Sequence, residues 1–167
     1  MSITINKWDL RFMEMAREVS QWSKDPSKQI GCVAVGDNHQ VLSTGYNGFP
    51  RGISDDEERY EDREVKYKYV VHAEKNCIYN ACLNGISLAG AKLYAYGLPI
   101  CSECAKGIIQ VGIKEVIIDE GSFIIPKWNE SFEFTKHLFE EADVIIKYVN
   151  IRKPLDAKRE TAGVSRY

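Results

Sequence analysis

One histidine and two cysteines that serve a single metal ion must meet in space, and this requirement constrains the chain more than any other feature of its sequence. His72 stands in HAEKNC, two residues before Glu74, while Cys101 and Cys104 stand in PICSEC, beyond an intervening strand-like run. Each group falls where loop or strand hands over to a helix, so the two helix starts must lie side by side. The positive end of a helix dipole and its free N–H groups favour thiolate over thiol, the form that zinc requires. Three protein ligands leave the fourth tetrahedral position for water, which marks a catalytic zinc and not a structural one, and the metal brings the pKa of that water to about 7. Glu74 is placed to take the water's proton and pass it on.

The remaining cysteines, Cys32, Cys77 and Cys82, lie in the apolar run IGCVAVG and in the helical stretch after His72, and they read as core packing. Five thiols with no secretory leader ahead of them argue against a disulfide framework. The opening MSITINKWDLRF has no signal-peptide pattern, and no window approaches a membrane span, so the chain reads as soluble and cytoplasmic. A length of 167 residues, 44% of them hydrophobic, suits one globular domain. With 22 basic against 24 acidic residues, the surface is poorly suited to nucleic acid.

In chain order, Lys7 to Trp22 places Trp8, Phe12, Met15, Ala16 and Val19 on one helical stripe. SKDPSKQ ends that helix, with Pro26 ruling out its continuation. Ile30 to Val35 and Val41 to Tyr46 read as a hairpin around the turn 36–40, in which His39 is solvated. GYNGFPRG, with three glycines and a proline, forbids regular structure and lets backbone approach a ligand. From Asp55 to Glu64 stand seven acids and two arginines, a solvated face or else a lid or subunit contact. A helix then opens at His72 and closes at Gly85, followed by a strand at Ala91–Tyr96, a helix at Cys101–Val111, a strand at Glu115–Ile118, a helix at Ser131–Ala142 and a strand at Val144–Val149. This alternation predicts a sheet covered by helices on both faces, with parallel pairs in its later part. The domain spans residues 1–149, and 150–167 read as a polar, loosely held tail.

Taken singly, the motifs are weak: a CxxC pair is often a structural zinc knuckle, and a lone histidine is often a core residue. In conjunction, HxE at a helix start followed by P-x-C-x-x-C comes close to the H-x-E, P-C-x-x-C pattern of zinc deaminases. Ile100, between Pro99 and Cys101, is a departure that alters the loop's path without removing a ligand. HAEKN, CSECAKGIIQVGIKEVI, SKDPSKQIG and GYNGFPRGISDD together resemble the deoxycytidylate deaminase family of the cytidine deaminase superfamily, over roughly Trp8 to Val149.

The resemblance implies a three-layer α/β/α sandwich with a five-stranded mixed sheet, one catalytic Zn2+ on His72, Cys101 and Cys104, and Glu74 as proton shuttle. It implies that the substrate is deoxycytidylate (dCMP), hydrolysed at C4 to deoxyuridylate (dUMP) and ammonia. Asn47 would contact the sugar and the backbone near Ala73 the pyrimidine edge. Leu83 stands where some members carry a phosphate-binding arginine, which leaves Arg51, Arg63, Lys66 and Lys106 as candidate phosphate cations. Trp128 is a candidate to pack over the substrate side. Regulation by dCTP with Mg2+ and by dTTP, in a homo-oligomer (hexamer, dimer or tetramer), would fall on the loop carrying Asn47, Gly48, Arg51 and Gly52. The alternatives are a zinc deaminase acting on dCTP, a free nucleoside or transfer RNA adenosine, and a non-catalytic zinc-stabilised binding module.

Overall fold

A computed structural model describes residues 4–124 and 129–152. Its first element, helix α1 (Lys7–Ser20), begins at a reciprocal cap: the Asn6 side chain accepts from Trp8 and Asp9 N–H, and the Asp9 carboxylate accepts from Asn6 N–H. Strands β1 (Gly31–Val35) and β2 (Val41–Tyr46) form the expected hairpin. Two short helices follow, α2 (Glu57–Glu61) and α3 (Arg63–Tyr69), then α4 (Ala73–Leu83) and strand β3 (Lys92–Tyr96). Helix α5 (Ser102–Gln110), strand β4 (Glu115–Asp119), a 3-10 turn (Glu120–Ile124), helix α6 (Asn129–Glu141) and strand β5 (Ile145–Val149) complete the order.

The five strands make one mixed sheet in the order β2-β1-β3-β4-β5. β1 pairs antiparallel with both β2 and β3, whereas β3–β4 and β4–β5 are parallel, so the parallel half is the later one, as the alternation predicts. Strand periodicity divides the core in two. Val33, Val35, Tyr94 and Ile117 point to one face and pack with Phe12, Met13, Ala16 and Val19 of α1. Cys32, Ala34, Leu93, Ala95, Val116 and Ile118 point to the other, where Cys77 and Ala81 of α4, Cys104 and Ile108 of α5 and Phe139 of α6 cover them. This is the three-layer α/β/α arrangement.

Close backbone approach fixes α4 on the sheet. A Cβ at Gly45 of β2 would stand 2.2 Å from Cys77 N and 2.4 Å from Ala73 O, so only glycine lets this helix settle so near. The Asn76 and Asn80 amides of α4 then donate to the Tyr46 and Thr44 carbonyls, each at 2.7 Å, satisfying acceptors of the sheet's outer strand.

Several expectations change. Met13, not Met15, lies in the buried stripe of α1; Met15 is 41% exposed. The helix ends at Ser20, and Trp22 beyond it is exposed and edge-on to Tyr46. Cys32 and Cys77 are core residues, but Cys82 is exposed, on the outer side of α4. His39 is exposed yet stacks on Trp8 at 4.2 Å. The acid-rich run and the residues after it fold into α2 and α3; Tyr60 is buried where Phe49 of the glycine-rich loop stacks on it at 4.2 Å, and Lys66 is buried against Asp25. Trp128 and residues 153–167 of the tail lie outside the described residues.

Candidate metal centre and substrate cavity

His72 and Cys101 each occupy the residue that caps a helix, α4 and α5 respectively, in extended backbone conformation. Their carbonyls open the helices, accepting from Asn76 N–H and Ala105 N–H at 2.9 Å. Neither side chain caps its own helix, so both are available to a common point in front of the helix starts. Cys104 stands in the first turn of α5 and faces the same point.

The three ligand atoms lie within 4.8 Å of one another, and among the described residues they form the one such His, Cys and carboxylate cluster. His72 Nδ1 is 3.5 Å from Cys101 Sγ and 3.4 Å from Cys104 Sγ. A tetrahedral zinc with ordinary Zn–N and Zn–S lengths sets nitrogen and sulfur about 3.6 Å apart, so the donor set fits that ion as it stands. Cys104 is buried, Cys101 half-buried and His72 exposed, which leaves the cluster open on one side.

The electrostatics agree with a site made for a cation. A hydrogen bond from Cys104, and then one with His72, draws the Cys101 thiol down to about 4. Cys104 moves the other way, because it donates to Cys101 and is buried. His72 is raised by its bond to Cys101. Metal binding would displace protons that the two thiols and the imidazole share. Burial raises the Glu74 carboxyl, which is 4% exposed and sits one residue inside α4.

His72, Glu74, Cys101, Leu98 and Pro99 line a cavity of about 610 Å³. Ile100 does not intrude on it. Its side chain is fully buried in the core and its carbonyl accepts from Thr135 Oγ1 of α6 at 2.9 Å, so the additional residue anchors the cysteine loop to the layer behind it.

Asn47 also lines the cavity, but its amide is engaged by protein: Oδ1 accepts from Ile30 N–H at 2.8 Å, and Nδ2 donates to the Lys28 carbonyl at 2.9 Å. Ala73 is fully buried at the start of α4. Gly48 bridges to Val71, which sets the glycine-rich loop beside the residue preceding His72. Arg51 is exposed, donates to Asn80, and is not among the cavity's lining residues; Gly52 next to it has φ +80°. Lys106 pairs with Glu103 on the surface of α5, and Leu83 is 70% exposed at the end of α4, so neither reaches the cavity. Arg63 and Lys66 do line it, together with Asp25, Tyr60, Glu61 and Tyr67. Tyr60, Glu61 and Arg63 of that wall come from the acid-rich run, so the run is not wholly a solvated face. Tyr60 is the aromatic residue that interrupts the charge of that run, and Tyr67 follows just beyond it.

Sheet, helix starts and donor set together define an α/β protein with a metal-ready His-Cys-Cys centre beside a carboxylate. The cytidine and deoxycytidylate deaminase zinc-binding region matches residues 6–120. An uncharacterized deaminase encoded in the luxG 3' region of Aliivibrio fischeri is 37% identical over 91% of this chain and 97% of its own length. The deoxycytidylate deaminase of Homo sapiens is 40% identical, over 84% of this chain and 79% of its own. The crystal structure of dCMP deaminase from cyanophage S-TIM5, in complex with dCMP and dUMP, superposes with a TM-score of 0.69 at 20% identity, covering 87% of this chain and 99% of that one. This chain belongs to the cytidine and deoxycytidylate deaminase family, and its fold is the cytidine deaminase-like α/β sandwich. Among the described residues no helix is long and apolar enough to cross a membrane.

Proposed function

We propose that this chain hydrolyses deoxycytidylate to deoxyuridylate and ammonia. The observation that carries the reading is the convergence of His72, Cys101 and Cys104 on one point, with Glu74 beside them on the wall of a cavity large enough for a nucleotide. Relatives named deoxycytidylate deaminase, about 40% identical over most of this chain, support the choice of substrate.

His72, Cys101 and Cys104 would hold zinc, which would supply Lewis acidity and lower the pKa of a bound water. Glu74 takes the proton released when water adds to C4 of the pyrimidine and delivers protons to N3 and to the departing amino group. The C4–N4 bond breaks, ammonia leaves, and a carbonyl remains at C4. Burial suits Glu74 to this work, because a carboxyl raised by desolvation both accepts and returns a proton readily. Backbone groups near Ala73 read the pyrimidine edge. Asn47, locked to Ile30 and Lys28, fixes the wall against which the sugar rests, and the second lone pair of its Oδ1 is available to a sugar hydroxyl.

We further assign the chain to a homo-oligomer in the cytoplasm, activated by dCTP with Mg2+ and inhibited by dTTP. Open space over Gly48 and Gly52, where a Cβ would meet nothing within 4 Å, supports the loop of Asn47, Gly48, Arg51 and Gly52 as the effector contact. Steady-state ammonia release from deoxycytidylate, dCTP, cytidine and transfer RNA, with and without dCTP and Mg2+, tests the whole reading. Turnover of deoxycytidylate, increased by the effector, is the expected result. Turnover of transfer RNA alone overturns the reading.

A further inference from the structure

Lys66 is a buried cation on the wall of the cavity. It lies in α3 within the charge-rich segment, yet it is 7% exposed, a degree of burial that lysine almost never reaches unpaired. Its partner is Asp25: Nζ stands 3.2 Å from Oδ1 and 3.1 Å from Oδ2. Asp25 is itself 5% exposed, and its oxygens also accept from Ser27 N–H at 2.8 Å, Lys28 N–H at 3.3 Å and Asn47 Nδ2 at 3.4 Å. Backbone and Asn47 therefore hold this carboxylate whether or not the ammonium leans on it.

A buried ion pair is a poor stabiliser, because desolvating both charges costs about what their attraction returns, and two apolar side chains would pack as well. The pair makes physical sense if the cation serves a ligand. Lys66 has three N–H donors and one carboxylate, so it retains donor capacity on a residue that lines the cavity holding His72 and Glu74. Arg63, one turn earlier on the same wall, is tethered through Nε to Tyr67 Oη at 2.8 Å, which leaves its terminal nitrogens for an anion.

We propose that Lys66, positioned by Asp25 and assisted by Arg63, grips the 5′-phosphate of the substrate and thereby makes the enzyme prefer nucleotide over nucleoside. This rests on the deoxycytidylate reading above. The test compares kcat/KM for deoxycytidylate with that for deoxycytidine in the full chain. Lys66→Gln alone strands a buried carboxylate and is prone to unfold, so the paired variant Asp25→Asn with Lys66→Gln, which removes both charges, is measured beside it. In either folded variant the nucleotide-to-nucleoside ratio falls about 10- to 100-fold, and Lys66→Arg recovers part of it. Inorganic phosphate competes with deoxycytidylate in the wild type and competes measurably less in the paired variant. An unchanged ratio in a folded variant, or a wild type insensitive to inorganic phosphate, overturns this inference alone. Absence of deoxycytidylate turnover in the wild type overturns the underlying reading with it.

Discussion

Gly45 of β2 sets how near α4 stands to the sheet, and α4 carries His72 at its cap and Glu74 in its first turn. Substituting alanine puts a methyl group 2.2 Å from Cys77 N, 2.4 Å from Ala73 O and 2.8 Å from Cys77 Cα, all of them backbone atoms that no rotamer change can move aside. Ordinary contact begins at 3.4 Å, so the helix must retreat by about 1.2 Å. Overpacking of this kind costs about 1 to 3 kcal/mol, or roughly 2 to 12 °C in Tm for a chain of this length. The chemical penalty is larger, because a displacement of about 1 Å in a catalytic group costs on the order of 100-fold in rate. Differential scanning calorimetry and a kcat measurement read the two effects separately. Gly107→Ala in α5 is the control: its new methyl meets only the flexible end of Ile78 at 3.4 Å, and replacing a mid-helix glycine stabilises by about 1 kcal/mol or less. A Gly45→Ala protein with wild-type Tm and kcat would refute the claim that this contact places the site.

Three further outcomes follow from particular contacts. Ile100→Ala empties a fully buried position behind the cysteine loop and lowers stability by about 2 to 5 kcal/mol in urea denaturation, with the metal retained in the folded fraction. Removal of the metal by a chelator exposes a thiol drawn down to about 4, so at pH 6 Cys101 is ionised and iodoacetamide labels it, while Cys77, pushed up to about 12 by burial, stays protonated and unlabelled in peptide mass spectrometry. The sign is fixed by the directions of the two shifts: the lowered thiol loses reactivity only on acidification through its own range, and the raised one gains it only in strong alkali. Thr135→Val removes the hydroxyl that holds the Ile100 carbonyl and leaves that acceptor buried without its partner, which costs about 1 to 3 kcal/mol by thermal unfolding.

The elements were legible because each wears its period plainly. Fully apolar runs such as Gly31–Val35 demand a strand covered on both faces, and α1 on one side with α4, α5 and α6 on the other supply the cover. The metal centre was legible because its spacing is chemical: His72, Cys101 and Cys104 have one joint use, and their ligand atoms do converge. What escaped was set by tertiary contact. Met13 and Met15 are equal in hydropathy, and only the crossing of α1 over the sheet decides between them. Tyr60 sits in a run whose composition says solvent and Lys66 just after it, and the stack of Phe49 on Tyr60 and the pairing of Lys66 with Asp25 override that composition. Arg51 is one of four candidate phosphate cations in the sequence, yet its guanidinium turns to Asn80 outside the cavity. Ile100 showed as a break in a motif, and its role as an anchor depends on Thr135, 35 residues further on.

The central claim is that a buried carboxylate beside a three-ligand zinc centre performs hydrolytic deamination. Its most direct test is Glu74→Gln, assayed for zinc content and for ammonia release from deoxycytidylate in the same preparation. Glutamine keeps the shape of the side chain and cannot carry the proton. The account predicts one zinc per chain in both proteins, with turnover in the wild type and a loss of about three orders of magnitude or more in the variant. A zinc-loaded Glu74→Gln protein that releases ammonia at the wild-type rate would contradict it.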